Sequence, residues 1–226
     1  MKKKLAAACA ALGLAAALFA FAGCSSPAPL TDYISEYRSN LWSGTQGDYS
    51  VFATYSTREY PYLSDGNVGD MTTLFEVTLA AADNTKTYEV SFTCGGTDYT
   101  AQLSYDSVRM VHRWSQSMEE PTEGEIVFTV RDADDAESES VTVTATTLRG
   151  ENVLSPADLL DSVSARTERF DALRTDSGGF AGEIYIRLLA SEEGCLYYIG
   201  IIDRSGNTYA ILADAETGEI LAAHEG

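Results

Sequence analysis

Hydrophobic residues follow three patterns along the chain. An unbroken apolar run extends from Leu5 to Gly23, apolar residues recur at helical spacing over 31–42 and after Ser155, and they alternate with polar residues over most of 49–147. Alternate side chains of a strand point to opposite faces, whereas one face of a helix recurs every three or four residues. The patterns therefore predict a β-rich middle region between two helical segments, with a separate apolar segment in front.

The β-rich region is predicted to form the first domain, over 31–147. Seven short runs rich in Val, Thr, Tyr and Phe are separated by clusters of Gly, Asp, Asn and Pro within 49–147. Such runs are typical of a β-sandwich or a small barrel, and we expect an antiparallel β-sandwich-like module. A short helix from Thr31 to Trp42 is expected at its start, because three apolar residues share one helix face. These residues are Ile34, Tyr37 and Leu41.

A second domain is predicted over 155–226, after a change of pattern at 148–152. Ser155 and Pro156 suit the N-cap and the first position of a helix, and apolar residues continue at helical spacing afterwards. Short strands joined by tight polar turns follow. They are expected at Glu183–Leu189, Leu196–Asp203, Thr208–Asp214 and Glu219–Ala222. A helix on one face of a small antiparallel sheet makes the predicted fold class α+β.

The apolar run at the start of the chain is predicted to be a signal peptide over 1–23. Three lysines precede it and small residues end it, as in secretory signals. A single transmembrane anchor is the alternative, because the run approaches the length that spans a bilayer. The Ala-Gly-Cys ending resembles a bacterial lipobox, which implies that Cys24 is diacylated and that the protein is extracytoplasmic and anchored to a bacterial membrane. Residues 24–30 would then form a short lipidated tether.

Charge limits the partners that this protein can have. The chain carries 34 acidic and 15 basic residues, and loss of three lysines with the signal peptide raises the acidic excess from 19 to 22. Such a surface repels nucleic acid and anionic lipid headgroups, so neither is an expected partner. Membrane attachment is expected through the N-terminal lipid alone, because two acyl chains hold a protein where one is marginal.

Two cysteines, Cys94 and Cys195, remain once Cys9 is removed and Cys24 is lipidated. An extracytoplasmic location permits a disulfide between them. Two separate, half-buried thiols are the alternative, because the two cysteines lie in different predicted domains.

The second domain resembles a PepSY-like module. The residues that carry the resemblance are the hairpin Tyr197–Tyr209 and the ending Asp214–Leu221, where an aspartate is followed by a Thr-Gly turn, an acidic residue and aliphatic residues. The resemblance implies an extracytoplasmic module without catalytic residues, sometimes linked to the restraint of peptidases. It does not extend to the β-rich region.

Neither a catalytic residue nor a metal or cofactor site is predicted. A hydrolase needs a nucleophile with an oriented base, and His112 and His224 are the two histidines of the chain. The sequence contains no nucleophile elbow, Ser-x-x-Lys or His-Glu-x-x-His motif. Glycosidase chemistry with two carboxylates is the least excluded enzymatic activity, because carboxylates are plentiful. The acidic run 132–139 is either a calcium loop without the glycine of an EF-hand or a solvated hairpin loop.

Tyr60 and Tyr62 form the candidate ligand loop. They flank Pro61 in a predicted loop, where an aromatic pair either stacks on a sugar or peptide or packs against its own domain. An exposed aromatic platform with polar neighbours would favour a sugar, and an exposed sheet edge would favour a protein partner.

The expected function is therefore binding without catalysis. We expect a lipid-anchored protein that binds or regulates another envelope protein, peptide or peptidase. A carbohydrate- or solute-binding lipoprotein that uses the loops of the N-terminal sandwich is the alternative. An enzyme would require a concave pocket that holds carboxylates with shifted pKa values.

Overall fold

The computed structural model describes residues 27–135, 137–192 and 194–225. The predicted signal peptide 1–23, the predicted lipid attachment site Cys24 and the first part of the predicted tether lie outside the described residues. Among those described, 54% lie in strands and 9% in helices. No helix in this part of the chain is long and apolar enough to cross a membrane.

The described residues form thirteen strands that belong to one hydrogen-bonded sheet. The strands are β1 (Ile34–Gln46), β2 (Tyr49–Glu59), β3 (Met71–Ala80), β4 (Tyr88–Cys94), β5 (Thr97–Gln102), β6 (Ser104–Asp106), β7 (Val111–Gln116), β8 (Glu125–Asp132), β9 (Val141–Thr147), β10 (Gly182–Ser191), β11 (Gly194–Asp203), β12 (Thr208–Asp214) and β13 (Ile220–Glu225). A 3-10 helix (Leu30–Tyr33) precedes β1, and the helices α1 (Pro156–Ser164) and α2 (Arg169–Ala172) lie between β9 and β10.

Strands β1 to β9 form a barrel-like sheet that closes almost completely. From β1 the order runs through β2, β3 and β7 to β6 on one side, and through β9, β8 and β4 to β5 on the other. Leu103 alone separates β5 from β6, and its N–H donates to the Tyr88 carbonyl at 2.8 Å. One bent segment therefore joins the two ends of the sheet.

The barrel encloses a hydrophobic cluster built from alternate residues of its strands. Trp42, Phe75 and Phe128 are fully buried there, and their neighbours are mainly valine, alanine and aromatic side chains. The Trp42 ring meets the Phe75 ring edge-on, with ring centroids 5.9 Å apart. This packing explains the alternation, because every second side chain of each strand points into the barrel.

The predicted fold class, α+β with a β-sandwich-like module, is wrong. The structure is mostly β, and its strands curl into a nearly closed barrel instead of forming two facing sheets. Alternation has the same period in both architectures, so it could not distinguish them. The α+β prediction also assumed a separate sheet after Ser155. Strands β10 to β13 do occur near the expected positions, but β10 pairs with β1 in parallel and continues the barrel sheet.

The predicted helix from Thr31 to Trp42 is also wrong. Only Leu30–Tyr33 is helical, and the rest of the segment lies in β1. Register shifts interrupt β1 between Ile34 and Glu36 and between Arg38 and Asn40. Leu41 and Trp42 are neighbours but pack into different hydrophobic clusters. Bulges and burial on two faces therefore produce a spacing that resembles a helix.

The second hydrophobic cluster lies between the helices and one face of β10, β11 and β12. Helix α1 begins as predicted, since the Ser155 side chain accepts a hydrogen bond from the Asp158 N–H and Pro156 occupies the first turn. Leu159, Leu160 and Val163 of α1 pack into this cluster together with Leu30 from the start of the chain. The domain limits 31–147 and 155–226 stay predictions. The second cluster, however, combines Leu41 from the first predicted domain with residues of the second.

Candidate functional site

The parallel pairing of β1 with β10 brings polar residues together on the outer face of the sheet. Glu36 of β1 lies beside Tyr185 of β10 and beside Arg58 of β2. On β10 the outward residues Tyr185 and Arg187 alternate with two isoleucines that point into the second cluster, Ile184 and Ile186. The junction of the three strands β10, β1 and β2 therefore has one apolar face and one face that carries charged and aromatic groups.

A cavity of about 460 Å³ lies at this junction. Its volume is in the range of small-molecule sites. We call it the junction cavity, and it is lined by Ser35, Glu36, Arg58, Glu59, Tyr60, Pro61, Tyr62, Tyr185, Arg187 and Ile202.

The candidate ligand loop lines the junction cavity. Tyr60 is 67% exposed and Tyr62 is 50% exposed, so neither ring packs fully against its own sheet. The Tyr62 hydroxyl donates to Glu183 Oε1 at 3.0 Å, while Tyr60 and Pro61 are joined by a cis peptide bond. The two tyrosines therefore form an aromatic wall with polar neighbours, and ligand binding by them stays a prediction.

Glu59 places a buried carboxylate at the cavity wall. It ends β2 and is only 4% exposed. Its Oε1 accepts a hydrogen bond from the Gly69 N–H at 3.1 Å, and its Oε2 has no partner among the described residues. A Cβ atom at Gly69 would lie 2.6 Å from Oε1, so a glycine there allows the loop backbone to approach the carboxylate.

Glu183 lies behind the cavity wall as a second buried carboxyl group. It is fully buried, and its Oε2 has no hydrogen-bond partner within the described ranges. Burial raises the pKa of Glu183, the Tyr62 hydroxyl opposes that shift, and the charge of Glu59 adds to it. A raised pKa means that the protonated form is favoured relative to an exposed glutamate.

Tyr185 of β10 points to the outer face of the sheet and lines the junction cavity. A Cβ atom at Gly200, its neighbour on β11, would overlap the Tyr185 ring, so the glycine lets the ring lie across the sheet. The Arg187 guanidinium lies 5.1 Å from the ring centroid and forms two hydrogen bonds of 2.7 Å with Glu36. Burial raises the pKa of Tyr185 to about 12, so its hydroxyl stays protonated at neutral pH.

Cys94 and Cys195 are both free thiols in the structure. The Cys94 Sγ lies 3.8 Å from Glu123 Oε2, and the Cys195 Sγ lies 2.9 Å from the Leu148 carbonyl oxygen. Burial raises the pKa of Cys94 to about 12, and the nearby Glu123 carboxylate contributes to the shift. The two sulfurs therefore have different partners in the structure, and a disulfide between them stays a prediction.

The two histidines lie apart from the junction cavity. His112 is buried between the rings of Tyr88 and Tyr105, with centroids 4.8 and 5.0 Å away, and burial lowers its pKa. His224 is an exposed residue of β13.

The described residues of the acidic run, 132–135 and 137–139, make local contacts at the end of β8. Asp132 pairs with Lys86 at 3.0 Å, and the Asp132 and Asp135 carboxylates accept hydrogen bonds from nearby backbone N–H groups. Residues 27–135, 137–192 and 194–225 contain no group of three or more His, Cys, Asp or Glu side chains that could hold a metal ion.

Sequence reasoning missed Glu59, Glu183 and Tyr185. A signal for the last two was present, because Glu183, Tyr185 and Arg187 alternate with isoleucines on the predicted strand. That alternation indicated an outward face, but it did not show which strand would lie beside it. No family model, no curated protein and no solved structure matches this chain.

Proposed function

We propose that this chain is a lipid-anchored, extracytoplasmic binding protein that takes a small hydroxyl-bearing solute, such as a carbohydrate, in the junction cavity. The observation that carries the proposal is the combination of exposed Tyr60 and half-exposed Tyr62 with the buried Glu59 carboxylate in one cavity. Sugars present both C–H faces that stack on aromatic rings and hydroxyl groups that donate to carboxylates.

The unpartnered oxygen of Glu59 supports a ligand that donates hydrogen bonds. A buried polar group without a partner costs about 1–3 kcal/mol, and a donor placed against it removes that cost. A hydroxyl over Glu59 Oε2 would supply such a donor, while the Tyr60 ring covers the apolar side of the ligand.

Binding fits the arrangement better than glycoside hydrolysis. A pair of carboxyl groups, one with a raised pKa, meets the first requirement of a glycosidase. Glu183, however, is fully buried and does not line the junction cavity. A general acid must reach the leaving-group oxygen, so Glu183 cannot supply the acid. Glu36, the other carboxyl group that lines the cavity beside Glu59, is engaged by two hydrogen bonds from Arg187.

The test is a binding screen of the full-length protein in detergent against neutral monosaccharides and disaccharides, by titration calorimetry. Tyr60→Ala and Glu59→Gln should each weaken binding about tenfold, the effect of losing a stacking surface or a charge-assisted hydrogen bond. Tyr105→Ala, which removes an exposed tyrosine of the barrel, should leave the affinity unchanged. Equal losses in all three variants, or no binding by any saccharide, would contradict the proposal.

A protein partner is the second candidate, and the edge strand β13 favours it. Among the described residues β13 pairs with β12 alone, and all but the first of its residues are exposed. An unpaired edge can accept a strand of another envelope protein or peptide, in keeping with the PepSY-like resemblance. Leu221→Lys on this edge should abolish capture of such a partner from the native membrane, whereas His224→Gln on the same strand should not. Capture that survives Leu221→Lys would exclude the edge of β13 as the binding site of the partner.

A further inference from the structure

Arginine side chains converge beside the junction cavity, in a chain that is otherwise strongly acidic. Five of the eleven arginines line one groove of about 200 Å³ on the outer face of β10, β1, β2, β3 and β7. We call it the arginine groove, defined by Arg38, Arg58, Arg109, Arg113 and Arg187.

Strand pairing places the groove arginines close together. Arg38 of β1 lies directly beside Arg187 of β10. Like charges on neighbouring strands are unfavourable. Burial lowers the pKa of Arg38, the Glu36 and Glu76 charges oppose that shift, and the Arg187 and Arg109 charges add to it. The guanidinium nevertheless keeps its charge at neutral pH, because the ordinary pKa of arginine is above 12.

Three of the five arginines already have carboxylate partners. Arg187 is bound by Glu36, and Arg113 pairs with both Glu76 and Asp106. Arg109 lies 3.7 Å from Glu76. These three carboxylates cannot neutralise five guanidinium groups, so the groove holds a local excess of positive charge.

Arg38 and Arg58 supply that excess. Within the ranges that the structure describes, the Arg38 side chain makes no ion pair or hydrogen bond, and Arg58 Nε is buried without a partner. A guanidinium has five N–H donors in a planar fork that matches the oxygens of carboxylate, sulfate and phosphate groups. Two such forks without partners are the chemistry of an anion site.

The arginine groove continues into the junction cavity. Glu36, Arg58 and Arg187 line both spaces, so one ligand could contact Tyr60 in the cavity and Arg38 in the groove. The many acidic residues elsewhere weaken an anion site little, since charges beyond about 8 Å are screened at physiological ionic strength.

We propose that the arginine groove binds the anionic group of the ligand through Arg38 and Arg58, which makes the preferred solute an acidic sugar and not a neutral one. The sugar part rests on the proposed function, whereas the anion site rests on the arginine groove alone. The carboxylate of a uronic acid and the phosphate of a sugar phosphate present the same chemistry to the two guanidinium groups.

The experiment compares glucose, glucuronate, glucose 6-phosphate and inorganic phosphate as ligands of the full-length protein, at fixed ionic strength. The acidic sugars should bind at least about tenfold more tightly than glucose, as expected for a charge-assisted hydrogen bond to a guanidinium. Arg38→Gln with Arg58→Gln should remove that advantage. Arg131→Gln, whose arginine pairs with Glu89 on the barrel, should retain it.

The outcomes separate the two proposals. Equal affinity for glucose and the acidic sugars, or an advantage that survives the double Gln variant, would overturn the anion site. Phosphate binding that depends on Arg38 and Arg58, without binding of any sugar, would support the anion site and contradict the carbohydrate proposal. Thermal unfolding without ligand checks that each variant is folded. If the double variant is not folded, Arg58→Lys replaces it in the experiment. Arg58→Lys should reduce the preference for acidic sugars over glucose, because lysine lacks the planar fork.

Discussion

The two hydrophobic clusters of this protein are assembled from different parts of the chain. The barrel cluster uses a continuous stretch, from Trp42 to Ala145, whereas the second cluster combines Leu30 and Leu41 with residues of the C-terminal third. Neighbouring strands of the barrel mostly follow one another in sequence, but Ser35 and Ile184, which meet across β1 and β10, are 149 residues apart. The barrel cluster is therefore complete within one continuous stretch of chain, whereas the second cluster cannot be complete without β1.

Separating the two parts should give the largest effect. A polypeptide of residues 151–226 retains α1, α2 and β10–β13 but lacks β1, so one edge of β10 and the apolar side chains under Leu30 and Leu41 become exposed. A polypeptide of this size is near the lower limit for a single core. We expect it to show no cooperative thermal transition by circular dichroism, whereas residues 27–226 should unfold cooperatively.

A folded 151–226 polypeptide would contradict the view that the second cluster, unlike the barrel cluster, needs a distant part of the chain. A cooperative transition in 151–226 alone would mean that β1 contributes little to the second cluster, and that 155–226 is an independent domain as the sequence suggests. Adding residues 27–46 as a separate peptide supplies the control, because it should restore structure only if β1 is the missing element.

Trp42→Ala tests the barrel cluster alone. Trp42 is fully buried against Phe75, and its indole N–H donates to the Glu123 carbonyl at 2.9 Å. Loss of the ring should lower the free energy of unfolding by about 3–5 kcal/mol, measured by urea denaturation. Trp114→Ala removes a half-buried indole on the same barrel and should cost less. Equal losses of unfolding free energy in Trp42→Ala and Trp114→Ala would mean that the degree of burial in the barrel does not determine how much a tryptophan contributes to stability.

The barrel strands could be predicted from the sequence, and the closure of the barrel could not. Alternating residues such as Phe75, Val77 and Leu79 mark a strand with one buried face wherever that face packs. Closure depends on Leu103, where a single residue carries the chain from one sheet partner to another, and nothing in the alternation marks it. In β1, burial of Leu41 and Trp42 in different clusters removed the alternation altogether.

The candidate site was predictable only where it lies in a loop. Tyr60 and Tyr62 stood out because large aromatic residues beside Pro61 have no place in a strand pattern. Glu59 and Glu183 end or begin strands that are far apart in sequence, and the parallel pairing of β1 with β10 brings them together. A crossover of this length leaves no local signature, so the site could not be assembled from the sequence.

Gly44→Ala tests whether β1 and β9 close the barrel. A Cβ atom at Gly44 would overlap the carbonyl oxygen of Thr144 and lie 2.7 Å from its carbon. Because the obstacle is backbone, the strands must separate, and we expect a loss of about 1–3 kcal/mol in the free energy of unfolding. Gly124→Ala is the control, since a Cβ atom there would meet no other atom. Unchanged stability in Gly44→Ala would show that the two strands are not in close contact.

Glu183→Gln should give the smallest effect, and its dependence on pH is the informative part. The ordinary pKa of this carboxyl group is 4.5, and burial followed by the Glu59 charge raises it in the folded protein. Below pH 4.5 both the folded and the unfolded chain hold the proton, so the ionisation of Glu183 does not change stability there. As the pH rises, the unfolded chain releases the proton first, and stability is lost progressively until the pH exceeds the raised pKa of the folded state.

A glutamine at this position cannot ionise, while its carbonyl oxygen can still accept the Tyr62 hydrogen bond. We therefore expect Glu183→Gln to gain stability relative to the native chain between pH 4.5 and neutral pH, and to gain nothing below that range, by thermal unfolding at several pH values. Glu125→Gln, at an exposed position of the barrel, should show no such gain. A Glu183→Gln variant that is less stable than the native chain at neutral pH would mean that the ionised carboxylate stabilises the junction.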